Sequence, residues 1–451
     1  MSKFDDFRSE YNSFVFKDYS IEKEDGVYKV YLYYSIPRLR EFKTRWEFPA
    51  GDRDISEQDP ILKELVFGLG MVEAISYYKC VCPKVVEVEC GTLTDEQIRW
   101  WEKLFYNGLG EFSYRNGINV SKEELLSIRC LDAVTGVKTD ADAKTALHDS
   151  AVYSGCLVPV GGGKDSVVSL ELLKGEGITT YSINGNETTV NVIDICKGKK
   201  ADYKAKRILD KGILEMNELG FLNGHIPFSA VVAWSTVITA YLCGIKYIAL
   251  SNENSANEST VKGSYVNHQY SKSYEFEKDF DDYLRTVTDS DIHYFSMLRP
   301  LTEIQIASLF SGYKAYHKAF RSCNAGSKQG IWCCNCPKCL FVYIIMSPFL
   351  SEAELIDIFG EKLLDKESLD KDFRELMGIE ENKPFECVGT RREVQAAMKH
   401  FRANGGKSLL TDRYGDFIDS SPVSLDELLS EWNDEHNVPP AFEKKLKEVL
   451  G

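Results

Sequence analysis

The chain has 451 residues, which is long enough for two or three domains. Its formal net charge of -15 at pH 7 argues against a large basic surface for nucleic acid. The first residues carry acids where a signal peptide needs a basic region and an apolar core. The longest apolar stretches are also too short to cross a membrane, so we expect a cytoplasmic protein.

The first 150 residues are predicted to form a mixed α+β domain, a candidate for substrate recognition. Its predicted elements are strands at 13–16, 27–36 and 42–48, a helix at 58–79, a strand at 84–90 and a helix at 95–107. Turn residues separate the first three strands, which favours an antiparallel sheet. The glycine-broken string 108–116 predicts a loop, and the capping pair Ser121 and Glu124 predicts a further helix.

From about residue 150 strands and helices alternate, which is typical of a parallel sheet with crossover helices. Strands are predicted at 156–160, 178–183 and 247–250, with an apolar helix at 228–243. The basic stretch from Lys197 to Arg207 could meet phosphates but is interpreted as a solvated helix face. Residues 351–451 predict helices, with a connecting loop at 404–423. The predicted regions are a mixed domain at 1–150, an α/β domain at 151–350 and a mainly helical part at 351–451.

A glycine turn joins the predicted strand at 156–160 to the helix that follows. Its central residues are Gly161, Gly162, Gly163, Lys164, Asp165 and Ser166. Backbone N–H groups of such a turn can converge on an anion at a helix N-terminus. The spacing is neither that of a Walker loop nor that of a dinucleotide-binding turn. A phosphate-binding turn and an ordinary strand-to-helix turn both fit this short pattern.

Polar side chains follow two of the later strands. Asn184 comes directly after one strand, and Asn252 and Glu253 come after another. Ligands of open α/β sheets bind beyond the carboxyl ends of the strands. Asn184 and Asn252 are therefore candidate nucleotide contacts.

Four cysteines, Cys323, Cys333, Cys336 and Cys339, are separated by nine, two and two residues. Such spacing can place four thiolates around a tetrahedral metal, and zinc is the usual metal of an all-thiolate structural site. An iron–sulfur cluster and a metal-free thiol group also fit the pattern. A closed site of four thiolates leaves no position for water, so we expect a structural metal.

Several strings resemble known families. The glycine turn is similar to the pyrophosphate loop of the ATP pyrophosphatase superfamily, with Gly161 where that superfamily usually has Ser. The order of this loop, the string from Arg299 to Glu303 and the four cysteines is similar to 7-cyano-7-deazaguanine synthase. The strings PVGGGKDS, SNENSANEST, VNHQYSKSYEFE, SMLRPLTE, SCN, WCCNCPKC and KPFECVG resemble the UDP-N-acetyl-α-D-muramoyl-L-alanyl-L-glutamate epimerase family over nearly the whole chain.

The epimerase resemblance implies an enzyme of peptidoglycan-precursor synthesis that uses ATP and Mg²⁺. It would invert the terminal L-glutamate of a UDP-muramoyl dipeptide through an acyl adenylate and release AMP and pyrophosphate. It also implies an adenine-nucleotide α-hydrolase-like sheet and a structural zinc. In this interpretation the amides of Gly161 to Gly163 and the hydroxyl of Ser166 hold pyrophosphate. Asp165 helps to position magnesium, and Lys164 or a nearby cation offsets charge at the transferring phosphorus.

Adenylation removes the charge of the carboxylate next to the α-hydrogen and so makes that hydrogen more acidic. One base can then take the proton, and an acid on the opposite face can return it. The candidate acid and base residues are Glu253, Glu258, His268, Lys272, Glu386 and Cys387. Arg391 and Arg392 could hold the glutamate carboxylates or begin a surface helix.

Two other functions fit the same motifs. An adenylating ligase of the 7-cyano-7-deazaguanine synthase type would form the same acyl adenylate and pass it to an amine. A nucleotide-binding protein without catalysis would also keep the loop and the cysteines. In each case the partner is a small molecule, and neither nucleic acid nor a membrane is expected.

Overall fold

The computed structural model describes residues 2–131, 146–257, 270–326 and 329–451. They form two compact units, each built from separate stretches of chain. The first unit comprises Met1–Leu157, Tyr203–Ile248 and Tyr270–Tyr294, and the second comprises Val158–Asp202, Ala249–Gln269 and Phe295–Gly451. The three-part division at 150 and 350 stays a prediction.

Strands and helices alternate through much of the described chain. The strands are β1 (Ser13–Glu24), β2 (Val27–Ile36), β3 (Arg40–Pro49), β4 (Val85–Val88), β5 (Ser127–Cys130), β6 (Cys156–Pro159), β7 (Ile178–Ile183), β8 (Ala201–Ile208), β9 (Tyr247–Leu250) and β10 (His293–Ser296). The helices are α1 (Lys3–Glu10), α2 (Pro60–Tyr78), α3 (Asp95–Gly108), α4 (Gly110–Arg115), α5 (Lys122–Leu125), α6 (Lys164–Leu172), α7 (Glu187–Ile195), α8 (Gly212–Glu218), α9 (Phe228–Cys243), α10 (Tyr274–Val287), α11 (Glu303–Gly312), α12 (Pro337–Met346), α13 (Glu352–Phe359), α14 (Asp370–Met377), α15 (Arg391–Ala403), α16 (Leu409–Arg413), α17 (Gly415–Asp419), α18 (Leu425–Ser430) and α19 (Pro440–Leu450).

The first unit contains the strand order β8-β3-β2-β1-β4-β5. β1, β2 and β3 pair antiparallel, as predicted, with Tyr31 of β2 opposite Arg45 of β3. β4 and β5 then add to β1 in parallel, and β8 pairs antiparallel with β3. The sheet is therefore mixed.

Helix α2 lies at the centre of the first unit and is buried along almost its whole length. Two of its glycines permit this packing. A Cβ at Gly68 would come within 2.2 Å of the Trp234 ring, and a Cβ at Gly70 within 2.2 Å of the Phe16 ring. Larger residues at these two positions would push the helix away from its neighbours.

The second unit contains the carboxyl ends of β6, β9 and β10 together with β7, in the order β10-β9-β6-β7. Val160 donates to the Tyr181 carbonyl at 2.8 Å, and Met297 donates to the Leu250 carbonyl at 2.8 Å. The chain is thus an α/β protein with a mixed sheet, and its C-terminal part is helical, as predicted. Within the described ranges no helix is long and apolar enough to cross a membrane.

Three local predictions are wrong. The string 108–116, predicted as a loop, contains α4, because burial of Leu109 and Phe112 favours a helical turn over a glycine-led loop. The basic stretch, interpreted as a helix face, forms β8, where Arg207 is ion-paired with Glu73. The loop expected at 404–423 contains α16 and α17, and a reciprocal cap at Ser408 opens the first of them.

Candidate functional site

The glycine turn connects β6 to α6 in the second unit. Gly162 has a φ of 89°, and a Cβ there would lie 2.8 Å from a methyl group of Thr188, so both conformation and space require glycine. The Gly162 carbonyl accepts a hydrogen bond of 2.9 Å from the Arg321 amide. Gly163 is the N-cap of α6 and supplies no side-chain cap to the first amides of the helix. This geometry suits an anion at the helix N-terminus.

Lys164 begins α6 with its side chain buried in the second unit. Its ammonium is ion-paired with both Asp165 and Glu303, and only 1% of the Lys164 side chain is exposed. Burial opposes the charge, but the two carboxylates outweigh burial and raise the pKa of Lys164 above its usual value. Lys164 therefore joins the glycine turn to the start of α11.

Glu303 is as buried as Lys164. Burial raises its pKa to about 8, and the charges of Asp165 and Glu253 act in the same direction, whereas Lys164 opposes them. A carboxyl group that titrates near neutral pH can hold or release a proton under physiological conditions. Three carboxyl groups, those of Asp165, Glu253 and Glu303, thus interact around the ammonium of Lys164.

The first turns of four helices supply the side chains around Glu303. Lys164 comes from α6, Glu303 from α11, Lys338 from α12 and Glu393 from α15. Glu393 accepts a bond of 2.7 Å from the Glu303 amide and also caps α15 through the Thr390 amide. Burial raises the pKa of Glu393 as well. Helix N-termini carry partial positive charge, which favours this concentration of carboxylates and also favours phosphate.

The residues Lys164, Asp165, Glu303, Lys338 and Glu393 form a set that we call the acidic group. The segment from Cys387 to Gly389 contacts this group. The Lys338 ammonium donates to the Cys387 carbonyl, and its charge lowers the pKa of Glu303. A Cβ at Gly389 would lie 2.6 Å from a carboxylate oxygen of Glu393 and 3.0 Å from the Glu303 Cγ. Glycine at this position lets the segment pass directly against the two glutamates.

The polar residues after β9 lie in the second unit, and two of the predicted candidates are buried there. The Asn252 side chain donates to the Ser296 hydroxyl at 3.0 Å. The Glu253 carboxylate accepts from Ser255 at 3.1 Å, while its main-chain carbonyl accepts from Arg299 at 2.6 Å. Glu253 is electrostatically coupled to Glu303, so it belongs to the acidic group.

The other predicted residues occupy different settings. Asn184 is exposed at the end of β7 with a φ of 58°, and the Ser166 hydroxyl donates to the Gly163 carbonyl at 2.9 Å. Lys272 belongs to the first unit. Glu258 and His268 lie outside the described residues.

Arg391 and Arg392 begin α15, as one of the two predictions for them states. Arg391 donates to the Glu381 carbonyl at 2.7 Å, and Arg392 is paired with Glu427 at 2.8 Å and with Glu431 at 3.4 Å. Both guanidinium groups thus contact protein oxygens. Their role towards glutamate stays a prediction.

The four predicted metal ligands come together. The Sγ atoms of Cys323, Cys333, Cys336 and Cys339 all lie within 4.8 Å of one another, and we call this group the thiol cluster. The distance between Sγ atoms is 3.5 Å for Cys336 and Cys339 and 3.7 Å for Cys333 and Cys339. A tetrahedral zinc with bonds of about 2.3 Å requires sulfur atoms roughly 3.8 Å apart, so the cluster fits this ion.

Backbone amides also prepare the thiol cluster for negative charge. The Gly326 amide donates to the Cys323 Sγ at 3.1 Å, and the Cys339 amide donates to the Cys336 Sγ at 3.5 Å. Hydrogen bonds, led by the one with the Cys339 side chain, lower the pKa of Cys336 to about 5, whereas burial raises the pKa of Cys333 to about 12. Four neighbouring thiolates need a cation, which a divalent metal supplies.

Sequence reasoning did not single out three residues that complete the acidic group. Glu303 stood within a recognised string, but its burial depends on α6 and α11 packing together. Glu393 was detectable as the capping partner of Thr390, although its second bond, to the Glu303 amide, was not. Lys338 lies between two cluster cysteines, where a lysine gives no signal of its own.

Comparisons with family models and with known proteins both point to one family. Residues 6–297 match the family described as the MurL N-terminal domain, and residues 315–409 match the MurL C-terminal domain. No solved structure matches the chain. Three relatives carry the name UDP-N-acetyl-alpha-D-muramoyl-L-alanyl-L-glutamate epimerase.

The relatives are similar over most of their length. The protein from Xanthomonas oryzae pv. oryzae is 31% identical over 397 residues, which cover 84% of each chain. The protein from Salinispora tropica is 32% identical over 338 residues, 73% of this chain and 71% of the relative. The protein from Micromonospora sp. is 30% identical over 443 residues, 95% of this chain and 93% of the relative. Together with the domain matches, this similarity establishes that the chain belongs to the UDP-N-acetyl-α-D-muramoyl-L-alanyl-L-glutamate epimerase family.

Proposed function

We propose that the protein inverts the terminal L-glutamate of UDP-N-acetylmuramoyl-L-alanyl-L-glutamate to D-glutamate, with ATP used to form an acyl adenylate. The names of the relatives support this substrate. One structural observation carries the proposal. Gly389, two residues after Cys387, packs against Glu303, which is ion-paired with Lys164 of the glycine turn. The glycine turn is therefore linked through Glu303 to the segment with the candidate proton-transfer groups, which supports the proposal that the two act together.

The glycine turn would hold the pyrophosphate part of ATP. Gly161 to Gly163 directly precede the first turn of α6, where the helix dipole would add to the attraction of backbone amides for an anion. Asp165 keeps 26% of its side chain exposed and offers the hard oxygen ligand that Mg²⁺ prefers. The ammonium of Lys164 is engaged by carboxylates, so its direct role is to fix Asp165 beside the turn.

Proton transfer falls to groups in the same unit. Cys387, Glu386 and Glu253 all lie there, and the first two are partly exposed. Adenylation would remove one negative charge from the glutamate and so make its α-hydrogen more acidic. The charge moves to the phosphate of the mixed anhydride, so loss of the α-hydrogen no longer places a second negative charge on the reacting carboxyl group.

The reaction is tested by mixing the protein with ATP, Mg²⁺ and the UDP-muramoyl dipeptide in deuterated water. We expect AMP, pyrophosphate, D-glutamate after hydrolysis of the product, and deuterium at its α-carbon. Asp165→Asn should reduce all four. AMP without inversion would instead support the adenylating ligase, and no product at all would support a binding protein.

The thiol cluster would hold one structural zinc per chain. Elemental analysis of the protein in reducing buffer should find this metal, and Cys336→Ser should lose it. Cys334→Ser is the matched control, because the Cys334 thiol donates to the Phe359 carbonyl at 3.1 Å and is not one of the four thiols that come together in the described part of the chain. A wild-type protein without stoichiometric metal would overturn this assignment, and iron in place of zinc would correct its identity.

A further inference from the structure

Two residues beside the thiol cluster contact the segment that carries Glu386 and Cys387. The side-chain amide of Asn324 donates to the Glu386 carboxylate, and the Lys338 ammonium donates to the Cys387 carbonyl. Asn324 directly follows the cluster residue Cys323, and Lys338 directly precedes Cys339. Both hydrogen bonds thus begin one residue from a cluster thiol.

The backbone that carries Lys338 is fixed on both sides by cluster residues. Cys336 is the N-cap of α12, and its Sγ accepts a hydrogen bond from the Cys339 amide. Lys338 lies between them in the first helical turn and is 8% exposed. A buried ammonium on a fixed turn has few alternative positions, so it holds the Cys387 carbonyl in a defined place.

A similar arrangement holds the second contact. The Cys323 Sγ accepts from the Gly326 amide at 3.1 Å, which closes a tight turn around Asn324. The two contacts reach neighbouring residues of the segment, one through a side chain and one through the main chain. Glu386 is thus bonded to Asn324, near the first cluster cysteine in the sequence, and Cys387 is bonded to Lys338, near the last.

We propose that Lys338 and Asn324 are positioning residues that make the geometry of Glu386 and Cys387 depend on the metal in the thiol cluster. The inference rests on the proposed function for the metal and for the catalytic role of the segment. Metal binding holds the 336–339 turn and the Cys323 turn together. Lys338 and Asn324 transmit that arrangement to the segment, whose Gly389 packs on Glu303.

Amide hydrogen–deuterium exchange tests this coupling without nucleotide or substrate. In the wild type, removal of the metal with a chelator should speed exchange of amides 385–390 about tenfold, the change expected when a hydrogen bond is lost. Lys338→Met should show the same increase with its metal still bound, and chelation should then add little. Amides of α9 in the first unit serve as the internal reference.

Lys366→Met is the matched control. The Lys366 ammonium also donates to a backbone carbonyl next to the cluster, that of Cys334 at 2.7 Å, and is ion-paired with Glu361. This variant should exchange like the wild type before and after chelation. Asn324→Ala, which alters a shorter side chain, provides a second route to the result if Lys338→Met does not fold.

Three outcomes would overturn the proposal: unchanged exchange after chelation, wild-type protection in both variants, or effects of chelation and substitution that simply add. In the activity assay, Lys338→Met should lower kcat for inversion about tenfold and leave KM for ATP unchanged, a split that general destabilisation would not give. If the wild type inverts no glutamate, the proposed function fails, whereas the exchange results still decide the coupling.

Discussion

The two units contain contrasting buried ion groups. In the first unit, Arg207 donates to both carboxylate oxygens of Glu73, at 2.6 and 2.8 Å. The Trp46 indole adds a third bond to Glu73 at 3.0 Å, and Ser76 accepts from Arg207 at 3.1 Å. One cation thus faces one anion, and each has several hydrogen-bond partners.

In the second unit, one ammonium serves two carboxylates. Lys164 is paired with Asp165 and Glu303, and Glu253 and Glu393 lie close enough to interact electrostatically with this group or with each other. Four carboxyl groups thus lie near the ammonium groups of Lys164 and Lys338. The first group is suited to holding β8 against α2, whereas the second is suited to binding a cation or exchanging a proton.

The largest expected effect comes from removing the cation of each group. Well above pH 8, where Glu303 is ionised, Lys164→Met and Arg207→Met each leave a buried carboxylate uncompensated, which should lower the free energy of unfolding by about 3–5 kcal/mol. Adding Glu303→Gln to the first variant, or Glu73→Gln to the second, removes that charge and should restore most of the stability. Urea unfolding measures these changes.

Activity should separate the two double variants. Arg207→Met with Glu73→Gln should invert glutamate like the wild type, because that group only supports the fold. Lys164→Met with Glu303→Gln should remain at least about a hundredfold less active, a size typical for loss of an electrostatic contact in an active site. Equal recovery of activity in both would remove the distinction between the groups.

Next in size is a pH effect confined to the second group. Burial raises the pKa of Glu303 to about 8 from an ordinary value of 4.5. The folded protein therefore binds this proton more tightly than the unfolded chain, and the resulting stability is present below pH 4.5 and is lost as the pH rises towards 8. Glu303→Gln should remove this loss, so its stability should change less with pH than that of the wild type.

Infrared spectroscopy can detect the same proton directly. The wild type at neutral pH should show the band of a protonated carboxylic acid, and Glu303→Gln should lose the part of this band that Glu303 contributes. Glu123→Gln, a change at an exposed carboxylate of α5, should leave both the band and the stability profile unaltered. A wild-type profile that Glu303→Gln does not change would contradict the assignment of the proton to Glu303.

A smaller effect is expected from Arg207→Lys, which keeps the charge of the first group but loses its two-pronged geometry. We expect a loss of about 2 kcal/mol in the free energy of unfolding, since hydrogen bonds to a charged partner are of this size. The inversion rate should not change. An unaltered stability would mean that charge alone holds Arg207 to Glu73.

Sequence patterns predicted the ion pair of Arg207 and Glu73 in the first unit less well than the site around Lys164 in the second unit. The strands β1 to β3 and the helix at α2 followed from alternation and turns, yet the basic stretch around Arg207 gave no sign that one arginine is buried. Its partner Glu73 lies in an apolar helix far away in the chain. The pairing depends on which strand lies beside β3, and local periodicity does not determine that.

In the second unit the motifs located the glycine turn and the cysteines, because both need fixed residue types at fixed spacing. They did not locate Glu303, Glu393 or Lys338 as partners. Those three meet only when four helix N-termini pack together, so their contacts are tertiary. The sequence also did not show what effect Gly161 has on the turn, where the ATP pyrophosphatase superfamily usually has Ser.

The smallest effect should come from changing Gly161 to that Ser. No described atom lies within 4 Å of the position a Cβ would take there, and Gly161 is outside the left-handed region that Gly162 occupies. Gly161→Ser should therefore alter stability by no more than about 0.5 kcal/mol and leave the titration of Glu303 unchanged. Gly162→Ser, the matched change one residue on, meets Thr188 and a φ of 89°, so it should cost about 1–3 kcal/mol and weaken ATP binding. Calorimetric titration with ATP measures the difference. Equal affinities would mean that the shape of the turn does not control nucleotide binding and that the acidic group acts independently of it.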